Sequence, residues 1–257
     1  MAIGYVDSSS GGFNGASSPR TITYTLGASA TRLIAAIWAD GGSGFSATWN
    51  GVSMTAVGSK TQGSYTLYVF QLANPATGSN TLSFSYTGTI SGRMICASYS
   101  GDDTALPLSV FSSNSSASAA SLTTNHTAIT GWTVLFAGTF IAGTPSITAG
   151  TGSTERLAGA DVSAQGMKVS VFDSNANVAG STSMAFNSTA ASLDVGLVVS
   201  VPQINGATYT DTATSLDANT GQVGQSVSDT SSTTDSTSTG WGQKSKSATT
   251  WTNQNKS

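Results

Sequence analysis

The chain has 257 residues, of which only 8% are charged, and its formal net charge is −3. An average soluble domain carries ~25% charged residues, so the polar surface here must be built mainly from Ser, Thr, Asn and Gly. Because good formers of exposed helices such as Lys and Glu are scarce, a helical fold is not expected. Lys and Arg form no cluster, which argues against direct binding to nucleic-acid phosphates.

Three segments alternate polar and apolar residues with the period of a half-buried strand. They are Thr21–Leu26, Tyr65–Leu72 and Thr81–Tyr86. The dipeptide Asn50-Gly51 lies between two apolar-containing runs and is a strong signal for a tight hairpin. These patterns indicate antiparallel strands joined by short turns.

Four further runs are apolar on both faces. Periodicity alone does not separate a buried strand from a buried helix at these lengths. Their β-branched residues and neighbouring glycines favour central strands. The runs are Leu33–Ala39, Arg93–Tyr99, Trp132–Ala137 and Val195–Val201.

The number of strand candidates before Pro202, about a dozen, is that of a two-sheet sandwich or jelly roll. We therefore predict an all-β, antiparallel β-sandwich or jelly-roll-like body over residues 1–204. Residues 205–257 are rich in Ser and Thr and contain few large aliphatic side chains. Such a segment buries too little apolar area to offset its ordering entropy, so we predict an extended, low-complexity C-terminal arm.

The predicted arm carries two tryptophans, Trp241 and Trp251, in a polar setting that also contains Asn253 and Lys256. The arm could fold back onto its own body, or it could dock on another chain. Because Trp is a favoured anchor at protein interfaces, docking is the preferred interpretation. These four residues are the predicted partner-binding site.

The chain offers few residues for catalysis. His126 is its only histidine and is expected in a polar loop, exposed or hydrogen-bonded, rather than in a hydrolytic triad. Cys96 is its only cysteine and is expected in the core. The pair Asp102-Asp103 could serve a glycosidase with Glu155, or a calcium ion, but a turn that satisfies its own backbone is the preferred interpretation. We predict no enzymatic activity, no cofactor and no metal site.

Aromatic residues on the body could instead form a sugar-binding platform. The candidates are Trp38, Trp49, Tyr65, Tyr68 and Tyr99. Most of them lie in strand-like runs, where packing in the core is the expected role. A carbohydrate-binding or host-adhesion module nevertheless stays the alternative function, with a glycan as the partner.

Residues 47–57, with Leu67–Pro75 and Gly78–Leu82 after them, resemble a β-sandwich module of phage and prophage structural proteins. The ending, residues 249–257, is similar to C-terminal segments of phage virion proteins. The resemblance implies a structural component of a bacteriophage particle. This component would be a capsid decoration or accessory protein, or a protein associated with the tail. It implies no catalytic residues.

The partners expected on this basis are other virion proteins, either major capsid or tail proteins, and further copies of the chain. The chain opens without the basic and apolar regions of a secretory signal, and no apolar run has the length of a membrane span. We therefore expect a protein made in the host bacterial cytoplasm and assembled into the virion, with neither nucleic acid nor membrane as a direct partner.

Overall fold

The computed structural model describes residues 2–108, 110–141, 145–158 and 166–204. In these ranges the chain is all-β, with antiparallel sheets and no helix that could cross a membrane. The strands are β1 (Gly4–Ser17), β2 (Arg20–Leu26), β3 (Arg32–Asp40), β4 (Ser43–Trp49), β5 (Val52–Ser53), β6 (Thr55–Gln62), β7 (Tyr65–Ala73), β8 (Gly78–Thr87), β9 (Thr89–Ser100), β10 (Val110–Phe140), β11 (Ile147–Ala149), β12 (Thr154–Ala158), β13 (Met167–Asp173) and β14 (Val178–Pro202). The all-β prediction is confirmed.

Residues 2–108 form a first module of two sheets, ordered β1-β9-β3-β7-β6 and β2-β8-β4-β5. Pairing within this module is nested along the chain. The first strand pairs with the last, β2 pairs with β8, and β3 pairs with β7. The hairpin predicted at Asn50-Gly51 is confirmed, with φ of 48° and 78° at these residues and Trp49 paired with Val52.

Residues 110–204 form a second module that repeats the nested pairing. Within the long strands β10 and β14, residues 110–119 pair with 192–199 and residues 121–128 pair with 180–187. Residues 131–140 pair with β13 on one side and with residues 193–202 on the other. β12 and β11 take the places of β6 and β4.

Equivalent positions in the two modules follow from these ladders. In the first module Phe70 lies opposite Ala35, and in the second module Phe172 lies opposite Leu135 in the same way. Likewise, Phe84 lies opposite Arg20 in the first module and Phe186 lies opposite Leu122 in the second. The turn after the equivalent strands β7 and β13 contains an asparagine with positive φ in each module, 50° at Asn74 and 51° at Asn175. The structure thus contains the same arrangement of strands twice, where the sequence predicted one two-sheet body.

The central sheet of the first module is buried on both faces. Along β3, Leu33, Ala35 and Ile37 face the sheet that contains β2, β4 and β8. Ile34, Ala36 and Trp38, which alternate with them, face β10, β13 and β14 of the second module. The apolar runs of β3 and β9 are therefore central strands, as their sequences predicted.

The two modules share this interface core and belong to one compact unit. Across the interface, Trp38 Nε1 donates a hydrogen bond to the carbonyl of Thr139 at 3.2 Å. Gly138 makes room for the indole, because a Cβ atom there would lie 2.7 Å from Trp38 Cδ2. The second module also has a smaller core of its own, which includes Leu135, Phe172 and Phe186.

Candidate functional site

The four residues predicted to bind a partner, Trp241, Trp251, Asn253 and Lys256, lie outside the described residues, as does the rest of the predicted arm. The search for a site in the body therefore starts from its buried polar side chains. Most of these are engaged within the chain, and one group is not.

Arg32 forms a buried ion pair with Asp102 in the first module. Its Nε donates to Asp102 Oδ2 at 2.7 Å, and its Nη1 donates to Gln71 Oε1 at 2.6 Å. Its Nη2 donates to the carbonyls of Asp103 and Leu106. A guanidinium with this many partners holds the end of β3 to the loop after β9, which is a structural role.

The adjacent carboxylates Asp102 and Asp103 both accept hydrogen bonds from within the chain. Asp102 is buried and also accepts a hydrogen bond from the Thr31 hydroxyl. Asp103 Oδ1 accepts from the backbone N–H of Ala105 at 3.1 Å, so this carboxylate forms the predicted turn. Glu155 is exposed on β12. The described residues contain no group of three or more His, Cys, Asp or Glu that could hold a metal ion.

Two further buried carboxylates belong to the second module. Asp173 accepts from Arg156 Nε at 2.7 Å and from the Tyr99 hydroxyl at 3.3 Å, and burial raises the pKa of this carboxyl. Asp194 accepts from the hydroxyls of Thr139 at 2.6 Å and Ser192 at 2.8 Å. Hydrogen bonds of this kind compensate the cost of burying a charge, and they leave these carboxylates no free face for substrate.

The aromatic platform proposed for sugar binding is not exposed. Trp38, Trp49, Tyr65 and Tyr99 are buried, and Tyr68 is partly buried and stacked on Phe45 with ring centroids 4.2 Å apart. Cys96 is also fully buried, as predicted, and burial raises the pKa of its thiol to about 12. All of these side chains serve the core.

His126 differs from the sequence prediction. It lies in the regular ladder of β10 opposite Thr182, where a polar loop was expected. The alternating pattern of residues 121–128 turns every second side chain inward, and His126 is only 6% exposed. Among the described residues, neither ring nitrogen has a hydrogen-bond partner of regular geometry. Burial lowers the pKa of this imidazole, and a hydrogen-bonding interaction with the Thr124 backbone opposes that shift only in part.

The unsatisfied imidazole follows from a difference between the modules. The equivalent residue of the first module is Tyr24, whose hydroxyl lies 3.2 Å from Ser98 Oγ and whose ring packs edge-on against Trp49. In the second module no described side chain forms a hydrogen bond with the ring nitrogens of His126. A buried polar group without a partner costs about 1–3 kcal/mol, so His126 is a candidate functional residue.

Three other buried side chains of the same module, each with a hydroxyl, share this property. Thr124, Thr133 and Ser170 are buried and have no hydrogen-bond partner for their side-chain oxygens. Their first-module equivalents are Ile22, Leu33 and Tyr68, which pack with the apolar core. On the strand faces that line its interior, the second module therefore carries polar side chains at positions where the first module carries apolar ones.

His126 also lines a surface depression of about 570 Å³. The other described residues that line it come from the same two paired segments and all carry a hydroxyl or an amide. They are Asn125, Thr127, Ser181, Thr182 and Ser183. No charged side chain is among these described residues, so the depression offers neutral hydrogen-bond donors and acceptors.

Sequence reasoning recognised His126 but not its setting. The alternation over residues 121–128 is made of Thr, Ser and Asn around Leu122 and His126, which is typical of a loop as much as of a strand. Comparison with known protein families, characterised proteins and solved structures gives no match. The candidate site therefore rests on the geometry of this chain alone.

Proposed function

We propose that the chain is a non-enzymatic structural component of a bacteriophage particle, either a capsid decoration or accessory protein or a tail-associated protein. In this proposal the body is displayed on the particle, and the C-terminal arm holds it to other virion proteins. The sequence resemblance of residues 47–57 and 249–257 is the first support.

The nested pairing of the strands is the observation that carries the proposal. Pairing of the first strand with the last and of the second with the last but one supports the proposal, because it is typical of jelly-roll β-sandwiches. Jelly rolls recur in viral capsid proteins and in lectins. Since one fold hosts several functions, the choice between these two rests on the chemistry of the residues.

That chemistry favours a structural role for the body. The buried charges of Arg32, Asp102, Asp173 and Asp194 are compensated by partners within the chain. The apolar residues fill one shared core and two smaller ones. Such a body is suited to being carried on a particle, where symmetry multiplies weak contacts into firm attachment.

One end of the body offers a surface for a virion partner. Leu106, Ile129 and Ile204 are exposed at 43–44%. Backbone hydrogen bonds join three segments at this end. Asp103 N–H donates to the Pro202 carbonyl at 2.8 Å, and Gln203 N–H donates to the Thr130 carbonyl at 3.1 Å. In this proposal the partner that binds this end of the body also binds the C-terminal arm.

The test is to ask whether the chain is part of particles and what holds it there. Particles purified from a culture that produces the phage are expected to contain the chain at a fixed ratio to the major capsid or tail protein. Particles lacking the chain should bind the added full-length protein. Removal of residues 205–257, or the double substitution Trp241→Ala and Trp251→Ala, is expected to weaken this binding at least about tenfold, since buried Trp anchors dominate interfaces.

A matched control replaces both residues by Phe, which keeps most of the aromatic area and should retain most of the binding. Chain that is absent from purified particles would contradict the virion role. Chain that binds equally well without residues 205–257 would leave a virion role but refute the arm as its attachment.

A further inference from the structure

We infer that Asn14-Gly15 is a site of spontaneous covalent modification, at which Asn14 is converted into aspartate and isoaspartate with the help of the Ser91 hydroxyl. The reaction consumes water and needs no second protein. It goes beyond the proposed structural role and does not depend on it, because the reaction is a property of the chain by itself. The inference rests on a bulge in β1 and on two hydrogen bonds within it.

The site is a β-bulge between the edge strand β1 and its neighbour β9. The register of the two strands shifts between Phe13 and Ala16. Across this shift, Asn14 and Gly15 together lie opposite the single residue Ser91. Gly15 has φ of 50°, the left-handed conformation that glycine adopts in one common type of bulge.

The space around the bulge is open. Asn14 and Gly15 are both exposed, and a Cβ atom at Gly15 would meet nothing within 4 Å. Water therefore reaches the two residues, and no neighbouring group blocks the closure of a ring between them.

The Ser91 hydroxyl contacts both groups that react. Its oxygen accepts a hydrogen bond from the Gly15 N–H at 3.1 Å. The same hydroxyl donates to Asn14 Oδ1 at 3.0 Å. The first contact helps to remove the proton from the attacking nitrogen, and the second polarises the carbonyl that this nitrogen attacks. Because a hydroxyl both donates and accepts, one side chain assists both partners.

In the first step the Gly15 nitrogen forms a bond to Asn14 Cγ and closes a five-membered ring. The Gly15 N–H proton passes to the Ser91 oxygen while the Ser91 proton passes to Asn14 Oδ1, so the hydroxyl is regenerated. The proton on Oδ1 then moves to the side-chain nitrogen, the Cγ–Nδ2 bond breaks, and ammonia leaves a succinimide. Water opens the succinimide at either carbonyl, which yields aspartate or isoaspartate and adds one negative charge.

The chain contains a matched reference for this site. Asn50-Gly51 consists of the same two residues, both are exposed, and each dipeptide follows an aromatic residue. Gly51 also has a positive φ, 78°, and a Cβ atom there would meet nothing within 4 Å. The backbone N–H of Asn50 donates to the Thr81 carbonyl, but no described residue forms a hydrogen bond with the Asn50 side chain. The two sites therefore differ in the assisting hydroxyl, and we expect Asn14 to react faster than Asn50.

The test follows the purified full-length chain during incubation in a mildly alkaline buffer in which it stays folded. Mass spectrometry of tryptic peptides reports Asn14, Asn50 and Asn205 separately, the last of which precedes a glycine and lies outside the described residues. Electron-transfer fragmentation distinguishes isoaspartate from aspartate. Asn14 is expected to react about 3- to 10-fold faster than Asn50, the factor that one hydrogen bond supplies.

Variants of Ser91 test the hydroxyl itself. Ser91→Ala should slow the reaction of Asn14 about 3- to 10-fold and leave the rate at Asn50 unchanged. Ser91→Thr keeps a hydroxyl on a residue that suits a strand, so it should retain most of the rate. Denaturant unfolding of the three proteins verifies that each is folded during the incubation.

Three outcomes would overturn the inference. Asn14 would react no faster than Asn50 in the wild type, or Ser91→Thr would lose as much of the rate as Ser91→Ala. In the third, Ser91→Ala would leave the rate at Asn14 unchanged or raise it, which would mean that the two hydrogen bonds hold the asparagine in place and protect it.

Discussion

Individual polar residues show how differently the two modules treat burial. Arg32 has four hydrogen-bond acceptors within 2.9 Å, whereas the imidazole of His126 has no partner of regular geometry among the described residues. Both side chains are nine-tenths buried or more. In the first module, Arg32 uses its hydrogen bonds to hold a strand to a loop. In the second module, His126 retains hydrogen-bonding capacity that the described part of the fold does not use.

The pKa of His126 has a consequence for stability. In the unfolded chain a histidine titrates near pH 6.5, while burial lowers the pKa of this imidazole in the folded chain. Below about pH 6.5 the unfolded state therefore binds more protons, so the free energy of unfolding should fall as the pH is lowered from 7. For one proton the slope is at most ~1.4 kcal/mol per pH unit.

The variant His126→Gln stays neutral at every pH and should lose less stability than the wild type between pH 7 and pH 5. Chemical denaturation followed by tryptophan fluorescence measures the difference. Asp173, whose pKa is raised by burial, contributes with the opposite sign at more acidic pH and is present in both proteins. Identical pH profiles of the two proteins would show that His126 is not buried in solution.

At the level of strands and turns, two glycines with similar backbone angles differ in their surroundings. Gly51 has φ of 78° and Gly152 has φ of 74°. A Cβ atom at Gly51 would meet nothing within 4 Å, but one at Gly152 would lie 2.5 Å from the carbonyl oxygen of Ser183. Only the second position adds a steric conflict to the conformational cost.

We therefore expect Gly51→Ala to lower the free energy of unfolding by about 1–2 kcal/mol, the cost of a left-handed conformation for alanine. Gly152→Ala should lower it by about 2–4 kcal/mol, because the clash requires the backbone to shift. Denaturant unfolding of both variants measures these values. Equal losses would mean that the turn at Gly152 relaxes freely.

The strands and tight turns were largely predictable from the sequence, because alternation and Asn-Gly are local signals. Thr81–Tyr86 has its apolar residues Leu82, Phe84 and Tyr86 buried, as predicted. The register shift over residues 116–121 of β10 was not predictable. It joins two ladders whose partners lie far away in sequence, and these residues are only Ser and Ala, without a turn signature.

The candidate site was missed for a related reason. His126 stands out only when it is compared with Tyr24, its equivalent in the first module. That equivalence is known only from the strand register of the two ladders. The side chains at equivalent positions have diverged, as Leu33 and Thr133 or Tyr68 and Ser170 illustrate. The repeat is therefore visible in strand pairing but not in simple periodicity.

The whole body is organised by the contact between its two modules. Equivalent strands take part in this contact from both sides. β6 of the first module contacts β10 and β14, and its equivalent in the second module, β12, contacts β1. Arg156 on β12 lies 4.8 Å above the ring of Tyr5 on β1. Burial of the apolar face that includes Ile34, Trp38 and Ile95 is the main contribution to this contact.

A first module produced alone, residues 1–108, should therefore not behave as a stable monomer. Its central sheet would expose Ile34, Trp38, Leu67 and Ile95, a contiguous apolar face of the kind that monomers rarely tolerate. We expect dimers or aggregates in size-exclusion chromatography with light scattering, and a one-to-one complex when residues 109–204 are co-produced. Residues 1–204, which keep both modules, are the control and should elute as a single species without aggregates. A soluble, monomeric first module with a cooperative unfolding transition would show that each module folds independently, and that the shared core only joins two finished domains.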